Sequence, residues 1–360
     1  MRSINRLTTI SVIFLGLSLV LISGISISST AATLRVCQIG CNYQSIQKAI
    51  NSSESGDIIR IQNGEYEENL RIDKEINLIG TSSEWVKIIP EDDGTPAISI
   101  GPGQVGPEIE NVSIIGETRE RGAGIKVTGR ANLNLSNSRI TNFRSGISAV
   151  NSVRIKFTEV EIRNSQNAIM ATDKAGVTIA DSLITSARSG VVAGDSSVLT
   201  LIGTEITGCE RDALLARNTA ELNILSSRIS DNRAPGIVLR DFSRLKMEES
   251  QVSNNGGGGV LLNNSVVAKL TQNKITFNDK KNITVVSNKC GFSGPREVFL
   301  GKVQGTNNEI DPEDTDSICP GKFARITTSE GGGYSYLATN ATYAFLGLIG
   351  AATIYFLISG

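Results

Sequence analysis

Two arginines and two aspartates are the residues of this chain whose types and spacing best suit joint chemistry. Arg217 and Arg240 lie 23 positions apart, and Asp195 and Asp241 lie 46 apart, twice that interval. Asp173 stands 22 positions before Asp195. If the chain repeats at 22–23 residues, the arginines share one outward column and the aspartates a neighbouring one. Paired guanidinium groups can neutralise a sugar acid. Paired carboxylates at such separations fall in the ranges used by retaining and inverting glycosidases.

The repeat is legible along the sequence. The strings AGIKV, SGISA, NAIMA, SGVVA, DALLA, PGIVL, GGVLL and KNITV begin equivalent segments, with Ile125, Ile147, Ile169, Val191, Leu214, Ile237, Val260 and Ile283 in step at 22- and then 23-residue intervals. Within each repeat, apolar residues alternate at a spacing of two, as in Leu133/Leu135, Ile155/Phe157 and Val177/Ile179. A third apolar mark follows at Ile140, Ile162, Ile184 and Ile206. Period-two alternation is strand periodicity. Short strands joined by Asn, Asp, Gly and Ser turns leave no room for a helix in each unit, which excludes leucine-rich, ankyrin and tetratricopeptide repeats. The expected fold is all-β: a parallel β-helix with one coil per repeat, stacked about 4.8 Å apart.

Two polar columns check the register. Ser138, Ser182, Thr204, Ser227, Ser250 and Asn273 share one position, broken by Val160. Asn151, Asp173, Asp195, Asn218, Asp241 and Asn264 share a turn position whose side chains can bond the turn's own backbone. Because that turn takes Asn as readily as Asp, its aspartates read first as turn formers, paired with Arg217 and Arg240 as surface ion pairs of about 0–1 kcal/mol. No catalytic residue is assigned. Arg217, Arg240, Asp195 and Asp241 are candidates for binding a sugar or an ion.

Another outward column holds Met170, Val192, Leu215, Val238 and Leu261. Five stacked apolar residues make a stripe roughly 20 Å long, either a docking face for a partner or a second copy, or a surface covered by the chain's own C-terminal segment.

Composition narrows the chemistry further. The 360 residues include no histidine, which removes Ser-His-Asp and Cys-His schemes and histidine metal sites. There is no CxxC, so the five cysteines suggest no metal centre. No cofactor is implied beyond Ca²⁺. The formal net charge of −1 gives no reason to expect nucleic-acid binding.

The chain reads as four segments. Residues 1–32 carry Arg2 and Arg6, an apolar run and small residues at Ser29-Thr30-Ala31-Ala32, the pattern of a secretory signal or an uncleaved anchor. Residues 33–310 are the β-helix domain, opened by a short amphipathic capping helix within 43–53. Residues 311–342 read as a linker. The charge-free run 343–358, YAFLGLIGAATIYFLI, reads as a hydrophobic helix anchoring the protein in a membrane, with a lipid-attachment signal as the alternative. Cys37 is expected to pair with Cys41 and Cys290 with Cys319, leaving Cys209 as a thiol in a turn.

The stretch VCQIGCNYQSIQKAINSSESGDIIRIQNGEYEENLRIDKEINLIG resembles the opening of right-handed parallel β-helix proteins of the pectin-lyase-like superfamily. It is most similar to the microbial surface group that includes the copper-enzyme maturation factor NosD. The marks are Ile46, Ala49-Ile50, Gly56-Asp57, Gly64-Glu65-Tyr66, Glu68-Asn69 and Leu78-Ile79-Gly80. The resemblance spans about residues 36–310. It implies a right-handed coil, a carbohydrate-binding or sugar-acting ancestry and a location outside the cytoplasm. The superfamily's lyases use an Arg or Lys base with Ca²⁺ held by acidic residues. The His-containing motifs of polygalacturonase-like members are absent, and Arg154-Ile155-Lys156 matches one of their strings by chance. No metal-ligand cluster supports a role in metalloenzyme assembly.

The expectation is therefore a membrane-anchored, extracytoplasmic β-helix that binds carbohydrate or an envelope protein without catalysis. The alternative is a polysaccharide lyase or glycoside hydrolase acting on acidic glycans.

Overall fold

The computed structural model describes residues 31–286, 302–310, 333–338, 343–349 and 352–357. The alternating pattern dictates the result: parallel strands stack coil upon coil into three sheets. Sheet A has 15 strands, sheet B 11 and sheet C 10. One turn of the coil runs through Asn132–Ser136 in sheet A, Arg139–Thr141 in sheet B and Ser145–Ala149 in sheet C. The next turn repeats it as Arg154–Thr158, Glu161–Arg163 and Asn167–Ala171.

Register follows the repeat expected from sequence. Ile125 pairs with Ile147, Ile147 with Ile169, and Ile169 with Val191. The inward residues are almost fully removed from water, Phe143 and Phe157 being the largest of the buried side chains. Burial of each Ile, Leu or Val in these stacks contributes roughly 1.5–3 kcal/mol.

Between sheets A and B a two-residue corner turns the chain. Its first residue, as at Asn137 (φ 48°), Glu159 (56°), Asp181 (48°) and Gly203 (57°), adopts the left-handed conformation. That bend aims the first residue's side chain outward. The following polar column then ties coil to coil: the N–H groups of Val160, Thr204 and Ser227 donate to the hydroxyls of Ser182 (3.0 Å), Ser227 (3.2 Å) and Ser250 (3.1 Å) of the next coil.

The N-terminal opening is closed as the amphipathic pattern predicts. The helix Ile46–Ser52 buries Ile46, Ala49 and Ile50. Glu68, from the first coil, accepts from the N–H groups of Ile46 (2.8 Å) and Gln47 (2.9 Å). Lys74 Nζ donates to the carbonyls of Ile50 (2.9 Å), Asn51 (3.0 Å) and Ser53 (2.6 Å). An acid at the amino end and a cation at the carboxyl end match the helix dipole. Cys37 and Cys41 form the expected disulfide.

The long step from Ile98 to Ile125 holds a coil of its own. Strands Glu108–Glu110 and Ser113–Ile115 join sheets A and B. Of the remaining residues, 116–122 form a loop beside sheet C.

The C-terminal expectation is corrected. Instead of a hydrophobic helix over 343–358, strands Gly333–Ala338, Tyr343–Ile349 and Ala352–Leu357 extend sheet A antiparallel beyond Lys302–Thr306. Tyr, Phe, Thr and Ile in this run favour strands, Gly347 weakens a helix, and the last parallel strand offers an edge to pair with. Among the described residues no helix is long and apolar enough to cross a membrane. The signal segment up to residue 30 and the pairing of Cys290 with Cys319 lie outside the described residues.

Candidate functional site

The corner between sheets C and A carries the four residues singled out from sequence. Leu215 pairs with Val238 and Ala216 with Leu239, so Arg217 and Arg240 follow equivalent strands on consecutive coils, about 4.8 Å apart at the backbone. Both are exposed. The main chain holds them there: Arg217 N–H donates to Ala193 O (3.1 Å) and Arg240 N–H to Ala216 O (2.9 Å).

The aspartates have a different task. The whole Asx column is left-handed, with φ from 55° at Asp195 to 72° at Asn151. Each side chain reaches the preceding coil rather than its own turn. Asn151 N–H donates to Asp173 Oδ2 (2.9 Å), Asp173 N–H to Asp195 Oδ2 (3.1 Å) and Asn218 N–H to Asp241 Oδ2 (3.0 Å). Asn218 Nδ2 also donates to Asp195 Oδ1 (2.9 Å). Asp195 and Asp241 are thus rungs of an inter-coil ladder, and Asn218 and Asn264 join it by donating from their amide Nδ2 to those carboxylates (2.9 and 3.3 Å). Among the described residues, neither Arg217 nor Arg240 pairs with a carboxylate within 4.0 Å, contrary to the ion pairs expected from sequence. Their charge remains available to a ligand.

The apolar stripe is in register as expected, Met170 beside Val192, Leu215, Val238 and Leu261 in turn. It is less open than an exposed stripe. Met170, Val192, Leu215 and Leu261 are half-buried, and Val238 is 1% exposed. Phe242, 65% exposed, stands two residues after Arg240.

Sequence reasoning missed three features here. Asp212 is half-buried at the start of a sheet C segment. Burial pushes its carboxyl above the usual range, and Arg240 and Arg211 oppose that rise. A single Asp in a string read for its apolar residues gave no signal. The loop 116–122 runs along the corner between sheets B and C. There Glu120 accepts from Gln166 and Arg119 bonds Glu210 at 2.8 Å. Finally, Asn232, Asn255 and Asn278 form a buried amide ladder at that corner, with Asn232 Nδ2 on Asn255 Oδ1 and Asn255 Nδ2 on Asn278 Oδ1, both 2.9 Å. Cys209 heads it, its N–H on Asn232 Oδ1 (2.8 Å) and its thiol pushed up to about 12 by burial.

No group of three or more acidic or cysteine side chains among the described residues is arranged to hold a metal ion. Arg217 and Arg240 are thus two exposed cations with no carboxylate within 4.0 Å among the described residues, while Asp195 and Asp241 are engaged in the ladder.

The family described as right-handed β-helix region matches residues 145–293. Among solved structures, the Geobacillus virus E2 protein ORF18 has a TM-score of 0.60 at 11% identity, over 85% of this chain and 64% of that one. The chain thus spans less than two thirds of that protein's length. Pectin methylesterase from carrot is similar at a TM-score of 0.46 and 12% identity, over 73% of this chain and 90% of that one. Pectate lyase Pel9A is similar at 0.42 and 12%, over 74% and 81%. No curated protein matches by sequence. The three parallel sheets give this chain a parallel β-helix fold, and the right-handed β-helix family model matches residues 145–293 within it.

Proposed function

We propose that this protein is an extracytoplasmic, non-catalytic binding module whose sheet C face takes up carbohydrate, and acidic glycans in particular. The observation that carries this reading is the pair Arg217 and Arg240, one coil apart and unpaired with any described carboxylate. An acidic polysaccharide presents carboxylates along its length, and guanidinium forks bind carboxylate bidentately. Phe242 beside them offers a ring face. The Cys37–Cys41 disulfide supports a location outside the reducing cytoplasm. The partial cover on Val238 argues for a ligand lying along the rim over a protein docking flat on the stripe.

Titrating the protein with oligogalacturonate of six sugars tests this. Saturable binding that weakens at least about tenfold in Arg240→Ala, with the glycan recovered intact, supports the module.

One observation favours the catalytic alternative, a lyase or hydrolase on acidic glycans. Burial raises the Asp212 carboxyl above the usual aspartate range, and the group lies within electrostatic reach of Arg240. New reducing ends or unsaturated uronate absorbance, lost in Asp212→Asn, would establish it over simple binding.

A further inference from the structure

The corner between sheets A and B forms an open groove on another side of the coil from Arg217 and Arg240. Its first section has a volume of about 770 Å³. Its floor is the left-handed corner column: Asn111, Asn137, Glu159, Asp181 and Gly203. Gly203 also belongs to a second section of about 410 Å³ that continues past Ser226 and Glu249 to Gln272. At Gly203 the floor has no side chain, and the Asp181 carboxylate leans into the space, where an added Cβ would lie 2.6 Å from Asp181 Oδ1. From Asn111 to Gln272 the column covers seven coil steps, roughly 34 Å.

One wall is the outward column of sheet B. Arg139 and Arg163 both engage Glu161 (3.2 and 3.6 Å). Glu159, Asp181 and Glu205 make no ion pair within 4.0 Å with any described residue. The head of the groove is the loop from Thr81 to Ser83, held by Ser113 Oγ donating to Ser83 O (2.5 Å). Two residues beyond it comes Trp85, the one tryptophan in the sequence and 56% exposed. Lys87 pairs with Ser113, and Ser113 with Arg139. Trp85 immediately precedes the strand of Lys87, and its N–H donates to Ser82 O (3.1 Å), which holds it against the loop at the head of the groove. Trp85 therefore stands one coil ahead of the groove floor.

We propose that this groove is a second binding site, for an uncharged oligosaccharide of about four to six sugars, a length set by the coil step. Charged carboxylates and amides repeating along a groove are strong partners for sugar hydroxyls. An exposed indole supplies the apolar face on which a sugar ring packs. Glu159, Asp181 and Glu205 outnumber Arg228, the lining cation beside Glu205 that pairs with no described carboxylate, so the groove disfavours uronates and sulfated chains, the ligands that Arg217 and Arg240 attract. The site is independent of the sheet C reading and can stand or fall without it.

Because Trp85 is the sole tryptophan, its fluorescence reports on this end of the groove directly. Six-sugar glucan, xylan and mannan oligomers, hexagalacturonate and hexalysine would each be titrated into the full chain in an Arg217→Ala/Arg240→Ala background. The expected result is a saturable change in Trp85 emission with at least one neutral oligomer and none with hexagalacturonate. That affinity should fall at least about tenfold in Asp181→Asn and in Glu205→Gln, two exposed substitutions that preserve shape. Calorimetry of the same neutral oligomers catches binding that leaves the indole unmoved, and the same two variants must weaken it. Binding by hexalysine alone would make the groove a basic-peptide site and overturn the proposal. Absence of neutral-oligomer binding in both measurements would overturn it as well.

Discussion

Arg119 bonds Glu210 across 91 residues of sequence, at 2.8 Å. The pair fastens the loop 116–122 along the corner of four successive coils, and Gln166 on Glu120 fastens it midway. The hydrogen bond from Arg119 holds the Glu210 carboxyl below the usual glutamate range. A depressed folded value means that the contact stabilises above the ordinary pKa and is lost as pH falls through the folded one. Protection of amides 117–121, taken relative to their intrinsic exchange rate at each pH, should therefore hold at neutral pH and fall only below the ordinary glutamate range. In Glu210→Gln it should be low at every pH. Equal exchange in both proteins would show that the contact does not restrain the loop.

The two inter-coil ladders predict unequal costs. Asn255 is fully buried and bonds Ile229 O, Ser253 O and Asn278 Oδ1 while accepting from Asn232. Asn255→Ala should lower stability by about 3 kcal/mol in urea unfolding, because it strands buried polar groups. Asn218→Ala, on the exposed ladder, should cost less than about 1 kcal/mol because water replaces the lost partner. Equal losses would contradict the assignment of the inner ladder as the structural one.

Closure of the amino end depends on Glu68 and Lys74 gripping opposite ends of one helix. Glu68→Ala leaves the N–H groups of Ile46 and Gln47 without their acceptor and should cost about 1–2 kcal/mol. Once that helix lifts, the first strand edges are open to pairing with other molecules. Light scattering during mild heating should therefore rise earlier in this variant than in wild type. Coincident onset would show that the helix does not guard the end.

Cys209 is fully buried, and its thiol is pushed up to about 12. Alkylation at neutral pH should be negligible in the folded protein and become fast in urea, tracking the loss of sheet signal. Rapid labelling under native conditions would mean that the sheet B to sheet C corner opens readily.

Much of the architecture was legible because each inward position recurs in every coil. Ile125, Ile147 and Ile169 announce one another, and one register error would have scattered the Ser138 and Asn151 columns as well. The turn role of Asp195 and Asp241 was legible for the same reason, since Asn218 and Asn264 occupy equivalent places. Their actual partners were not, because a side chain that bonds its own turn and one that bonds the coil before it leave identical sequence patterns. The groove escaped notice since Glu159 and Asp181 form no recurring residue type in sequence, and only the left-handed corner aims them to one side. Asp212 gave a single-coil signal and hence no column. The terminal run 343–358 was misread because uninterrupted apolar residues carry no period to separate helix from strand.

The division of labour between arginines and aspartates at one corner is open to a direct measurement. Affinity for six-sugar oligogalacturonate would be compared by calorimetry in wild type, Arg217→Ala/Arg240→Ala and Asp195→Asn/Asp241→Asn. Neither aspartate pairs with a described arginine within 4.0 Å, so the second pair should bind as wild type does. The arginine pair should lose affinity by more than about tenfold. Retained affinity without the arginines, or a loss confined to the aspartate variant, would contradict the proposed binding face.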